Sequence, residues 1–178
     1  LSSFMITSLG TVAFAAHQVT ISAESLSFMP GSGFATASGV LVGQSLGGEK
    51  TDRAKRVAYR SVRYAIMTMG GFALAFFFAS KTIVSFFTAD TGVLLLASTC
   101  LKIAGCEQIF IGIGDTFRGS LRGAGDTRSA LKVTMIGTWL IRLPILAIII
   151  YVFRLPLPAV WAGMCVEWIV RAALGRKY

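Results

Sequence analysis

Four ionisable side chains interrupt stretches of the sequence that are otherwise rich in apolar and small residues: His17, Glu24, Glu107 and Asp115. Burying such a group in lipid is costly unless it is paired or hydrated, so intramembrane carboxylates and imidazoles commonly belong to ion, proton or substrate pathways. The sequence therefore directs attention to the binding of cations, protons or charged substrates as the chemistry of this chain.

Two of these groups lie seven residues apart, which places them two turns along one helix face. His17 is either a hydrogen-bonded packing residue or a group that handles protons or substrate. Glu24 lies in a polar stripe with Ser22, Ser25 and Ser27. It either contacts a cation or substrate, or it forms a simple hydrogen bond to a neighbouring helix.

The other two carboxylates differ in their local partners. Glu107 has no nearby cation except Lys102, five residues earlier, so a binding role and a structural role both stay open. Asp115 precedes Arg118 by three residues, a spacing at which helical side chains pair, so a structural ion pair is predicted there. The candidate residues for binding a substrate or cation are Glu24, Glu107, His17 and Gln18.

Patterns typical of enzymes and metal sites are weak in this sequence. There is one histidine, and the cysteines (Cys100, Cys106, Cys165) lie in apolar runs without metal-ligand spacing. The glycines around 112–114 and 122–126 lack the strand–turn–helix setting of a nucleotide loop. We expect a chain that is not an enzyme and that has no metal site and no cofactor.

Composition indicates the elements that hold these groups. Hydrophobic residues make up 54% of the 178 residues and charged residues only 14%, against roughly 25% charged in soluble domains. Apolar stretches cover 66–79, 91–113, 131–151 and 158–170. Since a spanning helix needs about 20 residues, we predict an all-α, polytopic transmembrane bundle. It has about five spanning helices plus a helix stub over 1–9, in a single domain over 1–178.

The segment 12–46 is too long for one simple crossing. It is either one helix kinked at Pro30, whose nitrogen cannot donate a backbone hydrogen bond, or two crossings split near Glu24. Small residues recur every four positions along it, at Ala35, Gly39, Gly43 and Gly47. Such a face lets another helix backbone approach closely, so a packing role is predicted for Gly39, Gly43, Gly47 and Pro30. A smooth wall facing a substrate is the alternative.

The net charge of +9 is distributed as in a membrane protein. The basic residues form three clusters, separated by about two crossings each: Lys50, Arg53, Lys55, Arg56, Arg60, Arg63; Arg118, Arg122, Arg128, Lys132; Arg171, Arg176, Lys177. The opposite loops hold only Lys81 near one and Arg154 near the other. This pattern predicts cytoplasmic basic loops and a cytoplasmic C-terminus in the cell membrane. Nucleic acid is not an expected partner, because the aromatic residues do not alternate with these charges.

Six segments, in this order, resemble one lobe of the MATE (multidrug and toxic compound extrusion) family: 15–18 (AAHQ), 24–31 (ESLSFMPG), 42–47 (VGQSLG), 118–127 (RGSLRGAGDT), 143–144 (LP) and 160–163 (VWAG). The resemblance implies that the chain is most of the C-terminal lobe of a two-lobe transporter, whose N-terminal lobe is its partner. It also implies export of cationic or amphipathic small molecules, driven by Na⁺ or H⁺ entry.

One position departs from the family pattern. Sodium-coupled members often carry an aspartate nine residues before the serine of the SLRG motif, and here that position is Ile111. Their sodium site therefore cannot be transferred to this chain. Two other functions stay open: a lipid-linked oligosaccharide flippase of the same superfamily, for which Arg142 is the only obvious cavity cation, and a non-transporting membrane scaffold.

Overall fold

The computed structural model describes Ile6, residues 10–153 and residues 155–177, with the backbone alone for residue 177. The predicted stub over 1–9 lies outside the described residues, Ile6 excepted, and so does Arg154. The remaining chain forms six helices without a strand among the described residues: α1 (Thr11–Gly47), α2 (Thr51–Phe78), α3 (Ser80–Ser85), α4 (Thr91–Gly123), α5 (Thr127–Val152) and α6 (Leu157–Lys177). The predicted all-α helix bundle is confirmed.

Four of the helices, α2, α4, α5 and α6, are long and apolar enough to cross a membrane. The first helix, α1, is a single unbroken helix of 37 residues that continues through Pro30. At 1.5 Å per residue it is about 55 Å long, well beyond a hydrocarbon core of about 30 Å. It is one helix, not two crossings.

The central helix of the bundle is α4, which packs against α1, α2 and α6. α1 and α4 run parallel, since Glu24 meets Gln108 near the middle of both helices and Ser38 meets Ser120 nearer their ends. The intervening α2 returns in the opposite direction. The C-terminal ends of α1, α4 and α6 therefore lie together, where they line one cavity with the start of α2.

Small residues bring α1 and α4 into backbone contact. A Cβ atom at Gly39 would lie 2.8 Å from the carbonyl oxygen of Gly119, and one at Gly43 would lie 3.1 Å from that of Gly123. In the other direction, side chains at positions 119 and 123 would collide with the carbonyl groups of Ala35 and Gly39. Larger residues cannot occupy this seam, hereafter the glycine seam.

The packing role does not extend to Gly47. It is exposed, and nothing among the described residues lies within 4 Å of the place where its Cβ would be. The glycine seam ends before this position because α1 reaches the end of the bundle there. Pro30 lies within α1, where its missing amide leaves the Leu26 carbonyl without its usual helical partner.

Helix α5 departs from regular α-helix twice. Its residues Ile136–Arg142 and Ile148–Val152 form π-helical turns on either side of Leu143–Ala147, which contains Pro144. Such wide turns are uncommon and frequently occur at functional sites. At the start of α4, Asp90 caps the helix by accepting a hydrogen bond from the Val93 amide (2.9 Å).

Candidate functional site

Two of the predicted site residues lie between α1 and α4. Glu24 of α1 and Glu107 of α4 are both buried at the same level of this interface. Gln108, the neighbour of Glu107 on α4, donates a hydrogen bond from Nε2 to Oε1 of Glu24 at 3.1 Å. Glu24 is 5% exposed and Glu107 is 2% exposed. Two carboxyl groups are thus held at one level, away from solvent, by the packing of two parallel helices.

When Glu24 and Glu107 are both ionised, their repulsion in a poorly hydrated site must be relieved by a bound cation or by a new proton. Oε2 of Glu107 and Oε1 of Gln108 are buried and have no hydrogen-bond partner among the described residues. Both are oxygen atoms that remain available to a cation.

The other two predicted site residues lie apart from each other. His17 is buried, and its ring lies 5.6 Å from that of Trp161 on α6. Neither ring nitrogen of His17 has a hydrogen-bond partner within the part of the chain that the structure describes. Gln18, the next residue, is exposed on a different face of α1, because adjacent helical residues point about 100° apart. The structure therefore does not place Gln18 with Glu24.

A second buried group of charges lies between α5 and α6. Glu167, with a fully buried side chain, forms ion pairs with Arg171, one turn away on α6, and with Arg142 of α5 at 3.6 Å. Arg171 also donates a hydrogen bond to the hydroxyl of Thr138. A side chain at Gly137 would collide with the Arg171 side chain, so a glycine at this position of α5 leaves room for Arg171 to pack against that helix.

The predicted local ion pair is present on α4. Arg118 Nη2 lies 2.8 Å from Oδ1 of Asp115. Ile111, one turn before Asp115, is 1% exposed and packs in the interior, so an apolar side chain occupies the position at which the sequence resemblance raised the question of an aspartate. The two buried carboxyl groups of the candidate site lie instead one turn before Ile111, at Glu107, and across the helix interface, at Glu24.

Sequence reasoning missed three contributors to these networks. Gln108 was overlooked because a glutamine beside a glutamate carries no charge signal. Glu167 and Arg171 have the four-residue spacing of a helical ion pair, which was available in the sequence. Arg171 was assigned instead to the last basic cluster, yet it is only 7% exposed. Where α6 leaves the membrane cannot be located from its composition alone.

Comparisons with known proteins agree with this architecture. The sequence profile of the MatE family matches residues 1–152. A probable multidrug resistance protein NorM of Thermotoga maritima is 31% identical over 165 residues, which are 93% of this chain and 36% of that protein. Multidrug and toxin extrusion protein 1 of Mus musculus is 29% identical over 168 residues, covering 92% of this chain and 29% of that protein.

Solved structures show the same fold. A crystal structure of MATE in the bent conformation superposes with a TM-score of 0.91 at 16% identity, over 98% of this chain and 39% of that chain. An outward-facing multidrug resistance MATE family transporter gives a TM-score of 0.87 at 15% identity, over 98% and 38%. The chain spans about a third of the length of the curated relatives it matches. The chain belongs to the MatE family of multidrug efflux transporters.

Proposed function

We propose that this chain forms most of the C-terminal lobe of a two-lobe antiporter that exports cationic or amphipathic compounds in exchange for Na⁺ or H⁺. The other lobe, from the same protein, completes the substrate cavity. Neither an enzymatic reaction nor a cofactor is part of the proposal, and the coupling ion acts as a transported substrate.

The observation that carries the proposal is the burial of Glu24 and Glu107 at one level of the interface between α1 and α4, where Gln108 joins the two helices. Two carboxyl groups at one buried position form an exchange site, because they hold either a proton or another cation but are unfavourable when empty and ionised. Drug and coupling ion can then compete for the same negative charge. Gln108 fixes the geometry without adding charge.

The orientation of the lobe follows from its charges. The start of α2, the end of α4, the start of α5 and the end of α6 lie at one end of the bundle and carry most of the basic residues. This end is assigned to the cytoplasm of a cell membrane by the positive-inside rule. The sides of the bundle carry exposed apolar residues suited to lipid, among them Leu74, Phe78, Trp139 and Leu140.

The proposal is tested by removing one negative charge at a time. Glu24→Gln and Glu107→Gln are each introduced into the full-length transporter, which is reconstituted with an imposed pH gradient or an imposed Na⁺ gradient. Drug uptake into inverted vesicles is then measured under each gradient. The matched control is Glu49→Gln, which removes a carboxylate from the exposed end of α1.

We expect both site variants to lose gradient-driven transport at normal protein levels, while the control keeps it. The gradient that supports transport by the wild type identifies the coupling ion. Full transport by either Gln variant would show that its negative charge is unnecessary and would reduce that residue to a packing role.

A further inference from the structure

A cavity of about 490 Å³ lies at the basic end of the bundle, away from the paired carboxyl groups. It is lined by the ends of α1, α4 and α6 and by the beginning of α2. Its floor is apolar and buried, formed by Val42, Ala54 and Phe117 together with the buried glycine Gly175. A cavity with such a floor accepts hydrocarbon more readily than water.

The rim of the same cavity is positively charged. Lys55 of α2 and Arg176 of α6 line it from two sides, and its lining contains no acidic residue from the described part of the chain. Tyr59 lies between these charges and the floor, with its ring edge-on to Phe117 at a centroid distance of 5.9 Å. The lining therefore combines two cations with an aromatic side chain and an apolar base.

The position of the cavity along α2 matches the headgroup region of a membrane. The basic part of this helix, up to Arg63, precedes its apolar part, and Lys55 and Tyr59 lie within the basic part. Tyrosine and lysine are typical of that boundary. A ligand at this level can place a charged group on the rim and an acyl chain on the floor.

We propose that this cavity binds an anionic phospholipid of the inner leaflet, with its phosphate between Lys55 and Arg176 and an acyl chain on the floor around Phe117. The proposal rests on the cytoplasmic orientation given under the proposed function. A phosphate carried on a lipid satisfies both halves of the cavity, whereas a soluble anion leaves the apolar floor uncovered. Basic pockets between helices on this side of a membrane recognise such lipids.

The test compares two pairs of charge removals in the purified full-length transporter in detergent. Lys55→Gln with Arg176→Gln neutralises the rim, and Arg60→Gln with Arg63→Gln removes the same charge from exposed positions outside the cavity. Binding is measured by titration with fluorescent phosphatidylglycerol, and competition by phosphatidylcholine and by inorganic phosphate follows. Thermal unfolding of each variant verifies that it is folded.

We expect the rim pair to weaken phosphatidylglycerol binding roughly 25-fold, about fivefold for each basic residue, and the control pair to change it by less than about threefold. Ala124→Trp, which fills the cavity from an exposed position without altering charge, should also abolish binding. Phosphatidylcholine and inorganic phosphate should compete weakly.

Three results would overturn the proposal: equal losses in both charge pairs, equal competition by phosphatidylcholine, or full displacement by inorganic phosphate with no effect of Ala124→Trp. The assay measures lipid binding without transport. A protein that binds the lipid here but does not exchange drug for an ion would contradict the proposed function alone. Transport without lipid binding would contradict this inference alone.

Discussion

The side-chain amide of Gln108 donates a 3.1 Å hydrogen bond to Glu24, joining α4 to α1 at a position where both side chains are buried. Gln108→Met keeps the length of the side chain and removes the donor. A hydrogen bond to a charged group contributes about 1.5–3 kcal/mol, so we expect cation affinity to change by roughly 10- to 100-fold. The ion dependence of transport provides the measurement.

The control for this variant is Gln44→Met, which alters an exposed glutamine of α1. It should transport like the wild type. Identical ion dependence in Gln108→Met and the wild type would show that the hydrogen bond does not influence cation binding.

The glycine seam predicts a steric effect on folding. Gly39→Leu must displace the backbone of α4, because even a Cβ atom there lies 2.8 Å from the Gly119 carbonyl oxygen. Overpacking costs about 1–3 kcal/mol where side chains can adjust, and a backbone contact adjusts less easily. We expect a lower melting temperature and reduced expression, measured by fluorescence size-exclusion after heating. Ala75→Leu, at an exposed position of α2, should be mild, and equal behaviour of the two would contradict the seam.

The two arginines that pair with Glu167 should differ in how much they contribute to the stability of the protein. Arg171→Met leaves the buried carboxylate with only the longer contact of 3.6 Å to Arg142, whereas Arg142→Met leaves the shorter pair intact. Breaking a buried pair costs about 3–5 kcal/mol, so Arg171→Met should be the more destabilising change. Thermal unfolding of both single variants tests the order.

The double variant Arg171→Met with Glu167→Met is the companion measurement. It removes the charge that Arg171→Met leaves unpaired, and replacing a whole buried pair is often tolerated. Its stability should exceed that of Arg171→Met alone. If it is less stable than the single variant, the two residues do not act as a pair.

The stability of the first turns of α5 should depend on pH. The hydrogen bonds from Ser129 to Asp126 hold the pKa of this exposed carboxyl below its usual value of 3.8. A carboxyl whose pKa falls on folding stabilises the fold above its unfolded pKa, and that contribution is lost as pH falls through its folded pKa. The protection of the 127–135 amides against hydrogen exchange, corrected for the intrinsic pH dependence of exchange, should therefore fall in acid.

Asp126→Asn retains an oxygen that can cap the helix but cannot titrate. Its exchange in this segment should lose the acid dependence seen in the wild type. A wild-type protein whose 127–135 amides exchange with no such dependence would show that the cap contributes nothing through its charge.

Orientation can be measured directly with single cysteines in a cysteine-free background. Replacements at Thr91 and Pro156 lie at the end opposite to the basic residues, and replacements at Asp52, in the first turn of α2, and Gly125, between α4 and α5, lie at the basic end. An impermeant thiol reagent added to whole cells should label the first two positions and not the second two. The reverse pattern would place the basic end outside.

Hydropathy and helix length sufficed to predict the bundle, because a membrane admits few structures other than helices of a certain length. The hydrogen bond between Glu24 and Gln108 could not be predicted in this way. It depends on the parallel arrangement and relative alignment of α1 and α4, which no local pattern in either helix specifies. The burial of Arg171 was missed for a similar reason, since its partner on α5 lies 33 positions earlier in the chain.

The regular spacing of small residues along α1 has a consequence for how α1 and α4 can slide. A shift of α1 by four residues toward the C-terminal end of α4, about 6 Å, brings Gly31 and Ala35 opposite Gly119 and Gly123, so packing alone discriminates poorly between these two alignments. The same shift would move Glu24 from Gln108 to the level of Gly112, which has no polar side chain. The hydrogen bond of the buried Glu24 side chain thus favours one register of the two helices over the others, as a single buried asparagine does in a coiled coil.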